Sequence, residues 1–318
     1  MNDVMILGAG AVGCLVGGHL AAQGYKVQLV NRSTETAAAV VERGLLMELD
    51  RGTQRVELSA VQLEDAADAR FVMLFTKSYQ TEQALRAVLP KLSQDTVIVT
   101  LQNGLGNAQG LAELSGRPVL QGVTLIPSTL IAPAHVRSHG SHTTWVGPSD
   151  PQSDDEQIAG KTIAQMLNES GLPTEYEPQV INRVWHKACF NVAMNAICAL
   201  GDAPPGLIYD TPALMSQAHA LADEALEVAQ RQGVVVDSQS LHAMIDFAAK
   251  EHRFHQPSML QDIRSNRQTE IESLNGFIVR AARRHGIEVP RNELIYGLML
   301  ARQAAPDFWQ HASLSAHD

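Results

Sequence analysis

The sequence predicts an α/β protein in two parts, a doubly wound parallel sheet followed by an all-helical half, and three observations carry that prediction. Short apolar runs alternate with helical stretches up to about residue 130, the pattern of strands joined by crossover helices. A glycine-rich turn joins the first apolar run to the first helix. From Val180 onward the pattern is almost entirely helical in period. A length of 318 residues makes about two domains the starting expectation. The boundary is placed near residue 178, after Pro173 and Pro178, dividing 1–178 from 179–318.

In chain order, Val4 to Leu7 reads as a buried strand and Ala11 to Gln23 as a helix closed by Gly24. Lys26 to Asn31 is a second strand, with Val27, Leu29 and Val30 as its β-formers. Phe71 to Thr76, Thr96 to Leu101 and Val119 to Leu125 are further strands. Residues 134–147 read as an antiparallel ribbon, and a helix follows from an Asp155 cap to Ser170, ended by Gly171. In the helical half, breaks fall at Gly201 to Gly206, near Gly233, near Pro257 and at Gly286 to Pro290. The polar tail His311 to Asp318 is expected to fray.

Composition excludes several classes. Lys and Arg number 24 against 34 Asp and Glu, a net charge of −10, which argues against coating nucleic acid or an anionic membrane. Cys14, Cys189 and Cys198 show no C-x-x-C spacing, and the last two lie too far apart along one predicted helix to pair. A reduced cytoplasmic protein is the expectation. The opening apolar run is broken by Gly8, Gly10 and Gly13 and is no signal peptide. No stretch approaches the roughly 20 apolar residues that span a bilayer.

The opening reads Val4-Met5-Ile6-Leu7-Gly8-Ala9-Gly10-Ala11-Val12-Gly13, a G-x-G-x-x-G set between strand and helix. Gly8 permits the tight turn, Gly10 lets a pyrophosphate approach the backbone, and Gly13 lets the helix approach the sheet. The helix start offers free N–H groups and a positive dipole end to phosphates. The motif alone is weak, but its place in the first strand–helix unit is the context it demands. Enzymes that bind NAD usually carry an acid at the end of the second strand. Here Asn31-Arg32-Ser33-Thr34 stands there, with no carboxylate before Glu35. Arg32 suits a 2′-phosphate through a charge-assisted fork, with Ser33 and Thr34 as hydroxyl donors, so NADP is the expected cofactor.

Two loops at strand C-termini stand where ligands of such sheets bind. One carries Lys77-Ser78-Tyr79-Gln80 and the other Gln102-Asn103-Gly104. Taken alone, Lys77 reads as an exposed lysine and Asn103-Gly104 as an ordinary turn. In the helical half, Lys187, Asn191 and Asn195 step by four, so each lies about 40° from the last along one stripe. A polar stripe is usually the wet face of a helix. Two asparagines, weak helix formers, tilt this one toward function.

With these features the chain resembles the ketopantoate reductase family (PanE/ApbA) over essentially its full length. The resemblance rests on Gly8 to Gly13, Arg32, Thr76-Lys77, Asn103-Gly104, the Lys187/Asn191/Asn195 stripe and Ser258-Met259-Leu260-Gln261-Asp262-Ile263-Arg264. It continues through Thr269-Glu270-Ile271-Glu272 to Asn275-Gly276, Gly286 and Val289-Pro290. It implies a Rossmann-type NADP-binding domain over 1–178, a helical substrate-binding domain over 179–318 and an active site in the cleft between them. It implies Gly8, Ala9, Gly10, Ala11, Val12, Gly13, Arg32, Lys77 and Asn103 at the cofactor. It implies Lys187 as general acid, Glu270 as a cleft carboxylate, and Asn103, Lys187, Asn191, Asn195 and Ser258 at a small 2-oxo acid substrate. The reaction implied is reduction of 2-dehydropantoate to pantoate, a pantothenate-pathway step.

The residue types suit that chemistry. Hydride addition turns a ketone into an alkoxide, and a positioned proton donor stabilises the developing charge. A lysine serves if burial or neighbouring cations lower its pKa, and Glu270 is expected to orient it rather than neutralise it. Twelve residues separate Ser258 from Glu270, about 18 Å on a straight helix, so Ser258 is expected at a helix start beside Pro257 or across a bend. Two positions depart from the family: Pro204-Pro205-Gly206 replaces a common Asn-Gly, and Gln102 stands where a histidine often precedes Asn-Gly. Another branched 2-oxo acid is therefore the alternative substrate, and a non-catalytic NADP-binding sensor is the alternative class. The His252/His255 and His139/His142 pairs lack the carboxylates or cysteines of a metal site, and no metal is expected. A homodimer through the helical half is a further expectation.

Overall fold

The computed structural model describes residues 1–31, 33–140 and 143–315, so Arg32 and His142 lie outside the described residues. The chain divides into two compact units, Met1–Arg183 and Val184–Asp318.

The first unit opens with β1 (Asn2–Leu7), α1 (Ala11–Ala22), β2 (Val27–Val30) and α2 (Thr34–Arg43). It continues through β3 (Leu45–Leu49), β4 (Gly52–Val56), β5 (Ser59–Val61), β6 (Ala69–Leu74), α3 (Ser78–Val88), β7 (Val97–Thr100) and α4 (Asn107–Ser115). It closes with β8 (Val119–Thr124), β9 (Thr129–Ala132), β10 (His135–Arg137), β11 (Thr144–Pro148), α5 (Asp154–Glu169) and β12 (Thr174–Tyr176). The main sheet runs β12-β11-β8-β7-β6-β1-β2-β5. From β5 to β8 every pairing is parallel, with Val4 opposite Val27 on one side and Phe71 on the other. Helices bury both faces of such a sheet, which is why its strands are apolar throughout. Val4, Met5 and Ile6 are fully buried, each worth about 1.5–3 kcal/mol against exposure. The chain lays β2 and β5 on one side of β1 and then crosses to place β6 on the other, so the strand order reverses beside β1. A reversal of this kind opens a crevice beyond the strand ends.

The ribbon expected over 134–147 is not one ribbon. β10 pairs antiparallel with β9 and parallel with β3 in a second sheet ordered β4-β3-β10-β9, whereas β11 pairs antiparallel with β8 in the main sheet. Alternation told of strands there but not of their partners, which are long-range. The second sheet explains why α1 is apolar all round. Leu15, Val16 and Leu20 share one core with Ile6 and Leu29 of the main sheet and with Leu45, Met47 and Val136 of the small one. The cap of α5 is Ser153, whose hydroxyl accepts from Glu156 N, and not Asp155. Glu156 then accepts from the N–H groups of Val119, Ser149 and Asp150, pinning α5 to the sheet edge. The strand β12 within the proline-bearing segment extends the sheet by pairing parallel with β11.

The helix α6 (Val180–Gly201) leads into α7 (Pro205–Tyr209), α8 (Pro212–Arg231), α9 (Ser238–Glu251), α10 (Ser258–Arg264), α11 (Asn275–His285) and α12 (Pro290–Ser315). In the helical unit Trp185 of α6 meets Phe277 of α11 edge-on, ring centroids 6.0 Å apart. Asn275 is fully buried, and its Nδ2 donates to Val192 O of α6 and to Asn292 Oδ1 of α12. Asn292 in turn donates to Glu224 of α8, so a buried polar chain ties four helices together. Such a chain specifies one packing because each missed bond costs about 1–3 kcal/mol. Helix α12 reaches Ser315, through part of the tail expected to fray. No helix among the described residues is long and apolar enough to cross a membrane.

Candidate active site

In the first unit, the turn after β1 has the shape the glycines foretell. Gly8 adopts φ +109°, and a Cβ there would stand 2.7 Å from Thr76 N, so the turn after β1 rests on the backbone that leaves β6. A Cβ at Gly13 would stand 2.1 Å from Gly8 O, which only a glycine helix face permits. At Gly10 a Cβ would meet nothing within 4 Å, so the backbone there borders open space. Gly10 caps α1 with no side-chain acceptor. The first N–H groups of a helix have no intrahelical partner, and those of Ala11 and Val12 are therefore offered to an outside acceptor. An open cradle with bare N–H groups and a helix dipole fits a pyrophosphate.

At the end of β2, Ser33 caps α2, its hydroxyl accepting from Thr36 N at 3.4 Å. Ser33 is thus a helix cap before it is anything else, and the start of α2 presents a second dipole end. Lys77 is the N-cap residue of α3, extended at ψ 145°. Asn103 accepts through its carbonyl from Asn107 Nδ2 at 3.0 Å, which stiffens the loop after β7. A cavity of 430 Å³ lies between α3 and α4, lined among others by Thr81, Glu82, Arg86, Asn107 and Leu111, and its lining includes neither Lys77 nor Asn103. Among the described residues no cluster of three or more His, Cys, Asp or Glu can hold a metal ion. The three cysteines are buried free thiols.

In the helical unit, α6 does not present the stripe to water. Asn191 and Asn195 are 8% and 7% exposed, so the wet-face reading fails. Lys187, one turn before Asn191, is half-buried. Loss of hydration lowers its pKa from 10.5 to about 8, and the negative charge of Glu270 opposes that fall without cancelling it. Burial is the cause that lowers it. A lysine with a pKa near 8 holds its proton at neutral pH and gives it up readily, as a general acid requires.

Glu270 is buried and lies outside any α-helix, just before a short 3-10 turn over Ile271–Ser273. The straight helix considered for Ser258 and Glu270 is broken after Arg264, with Asn266 at φ +50° turning the chain. Ser258 opens α10 beside the buried Pro257, and it is exposed. The structure does not tie it to Lys187 or Glu270 by a hydrogen bond. Asp262 has no role legible in the sequence. It is 2% exposed and accepts from Arg267 Nε at 3.0 Å, while Arg267 N donates to its carbonyl. This clamp, with Gln303 Oε1 accepting from Thr269 N at 2.6 Å, sets the segment that presents Glu270. The Pro204-Pro205 departure also has a local reason: Pro205 occupies the first turn of α7 after the Pro204 cap, where its fixed φ suits a helix start.

Comparison with known proteins covers both units. Residues 4–151 match the family model of ketopantoate reductase PanE/ApbA, and residues 179–303 match that of its C-terminal domain. The 2-dehydropantoate 2-reductase of Pyrococcus horikoshii is 33% identical over 301 residues, covering 95% of this chain and 97% of the relative. That of Halobacterium salinarum is 34% identical over 290 residues, covering 90% and 94%. Among solved structures, D-mandelate dehydrogenase with NADH and anilino(oxo)acetate superposes with a TM-score of 0.88 at 26% identity, covering 95% of this chain and 99% of that one. A PanE/ApbA family ketopantoate reductase from Ralstonia eutropha JMP134 gives 0.87 at 29% identity, with the same coverage. The chain belongs to the ketopantoate reductase PanE/ApbA family of NADP-dependent oxidoreductases.

Proposed function

We propose that this protein reduces 2-dehydropantoate to pantoate with NADPH, using Lys187 as the general acid. The observation that carries this reading is the Lys187 ammonium, brought to a pKa of about 8 by burial, one turn from the buried Asn191 and two from the buried Asn195. NADPH, when bound, supplies the hydride that reaches the ketone carbon. The ketone oxygen then gathers the electron pair of the broken C=O π bond, and Lys187 gives it a proton: an N–H bond breaks as an O–H bond forms. Glu270 keeps enough of Lys187 protonated for this at neutral pH, because its charge raises a pKa that burial alone would drop further. Asn191 and Asn195 donate hydrogen bonds to the substrate's oxygens without adding charge that would alter the lysine, and Ser258 and Asn103 are further substrate contacts. Gly8 to Gly13 hold the pyrophosphate, Lys77 and Asn103 the ribose and nicotinamide end, and Arg32 the 2′-phosphate.

The test is oxidation of NADPH by the purified protein against a panel of 2-oxo acids, 2-dehydropantoate among them. Because a structural neighbour binds anilino(oxo)acetate, aromatic 2-oxo acids belong in the panel. Turnover of 2-dehydropantoate above the others supports the reading, and turnover of none overturns it. Arg32→Ala is expected to raise the KM for NADPH far more than that for NADH. Sedimentation of the purified protein checks the homodimer that goes with this reading.

A further inference from the structure

We infer that Gln102 is a positioning residue for the cofactor, its uncharged amide locking the loop that carries Lys77 to the loop that carries Asn103. The inference rests on the NADPH reading above, which places Lys77 and Asn103 at the cofactor. Gln102 sits two residues past the end of β7, immediately before Asn103, and its side chain reaches back to the end of β6. Its Nε2 donates to Thr76 O at 2.5 Å and to Thr81 Oγ1 at 2.7 Å, with Thr76 Oγ1 at 3.2 Å. Its Oε1 accepts from Thr100 Oγ1 at 3.1 Å. Thr81 Oγ1 in turn donates a hydrogen bond to Lys77 O at 3.2 Å. A directed chain of hydrogen bonds thus runs from Thr100 on β7, through Gln102 and Thr81, to the carbonyl of Lys77.

Thr100 and Thr81 are buried, 3% and 8% exposed, and Gln102 between them is partly buried, so solvent competes for these bonds less than it does at an exposed site. It also reaches a third loop. The backbone of Thr76, held by the Gln102 amide, is the surface on which the Gly8 turn rests. One side chain therefore joins three of the four loops that the cofactor reading uses, the Arg32 loop being the fourth. The residue type follows from the count of bonds. The site asks for two N–H donors and one acceptor on one planar, uncharged group, which a glutamine amide supplies. A neutral histidine, the residue that often stands here in the family, offers one donor and one acceptor and would leave either Thr76 O or Thr81 unserved. Gln102 does not titrate, so the clamp holds at every pH at which the protein folds.

The measurement is the dissociation constant for NADPH, read by nucleotide fluorescence without substrate, on wild type, Q102L, Q102E, T81V and the double variant Q102L/T81V. Q102L keeps the bulk and removes the bonds, and it is expected to weaken NADPH binding about tenfold, the consequence of leaving buried partners unpaired. T81V acts in the same direction, and the double variant weakens binding by less than the product of the two single effects, because both act through one chain. Q102E has the shape of glutamine but, as a carboxylate, no N–H for Thr76 O. Protonation restores one donor, so the ratio of its dissociation constant to that of wild type falls as pH is lowered from 8 toward 5.5 at about the range where a buried carboxyl titrates. A loss of packing alone leaves this ratio flat. Wild-type binding of NADPH with Q102L unchanged within about twofold, or a flat Q102E ratio, overturns the inference and leaves the cofactor reading standing. Wild type that binds no NADPH overturns the cofactor reading itself. If Q102L does not fold, T81V and Q102E decide.

Discussion

In the proposed function the first unit meets its ligand with backbone, whereas the second unit meets its own with side chains, and the two would fail in different ways. Around Gly8 to Gly13 the proposed recognising groups are N–H groups at the start of α1, and the demand on the sequence is that no Cβ intrude. Around Lys187 the proposed recognising groups are an ammonium and two amides on α6, and the demand is that the surroundings be dry enough to shift a proton equilibrium. A backbone site is right or wrong by sterics. A side-chain site is graded by its environment, and so it can be tuned. The same contrast appears in how each is supported: a glycine contact holds the first turn against Thr76, while a buried chain from Asn275 through Asn292 to Glu224 holds the helices around α6.

The largest expected effect lies on the side-chain half. Lys187→Ala is expected to lower kcat by at least about a hundredfold while NADPH still binds, since only the proton donor is lost. Near-normal turnover would break the comparison at its strongest point. Next comes Gly13→Ala, whose Cβ is forced against Gly8 O; overpacking of this kind costs about 1–3 kcal/mol and shows as a lower Tm. Gly10→Ala sharpens the contrast, because its Cβ enters open space. Its melting is expected to match wild type while NADPH affinity drops by roughly tenfold, the methyl standing where the pyrophosphate approaches. If instead Gly10→Ala melts early and binds normally, the open cradle is not the cofactor's.

The smallest effect is the most specific. A general acid must be protonated to act, so kcat/KM should fall as pH rises through about 8, the value to which burial brings Lys187. Glu270 raises that pKa, so Glu270→Gln should move the fall to lower pH. A fall that stays in place, or moves upward, would show that Glu270 does not act on the lysine's proton.

Much of this was legible before any coordinates. The first strand, glycine turn and helix, the succession of parallel strands and the helical second half all follow from neighbours in sequence, because strand and helix periods and glycine conformations are local. The stripe of Lys187, Asn191 and Asn195 was legible as a stripe, but not as a buried one. The clamp of Arg267 on Asp262 and the amide bridge of Gln102 were not legible at all: both join groups whose partners depend on where loops return.

By itself, then, the sequence determined the first strand, glycine turn and helix, the succession of parallel strands before a helical half, and the kinds of side chain available for chemistry. The tertiary structure decided which sheet each strand of 134–147 joins, how the chain bends between Ser258 and Glu270, and how dry the surroundings of Lys187 are. The reason is physical. Backbone period and glycine sterics are fixed within a few residues, whereas strand partners, burial and pKa are properties of whatever the rest of the chain packs nearby.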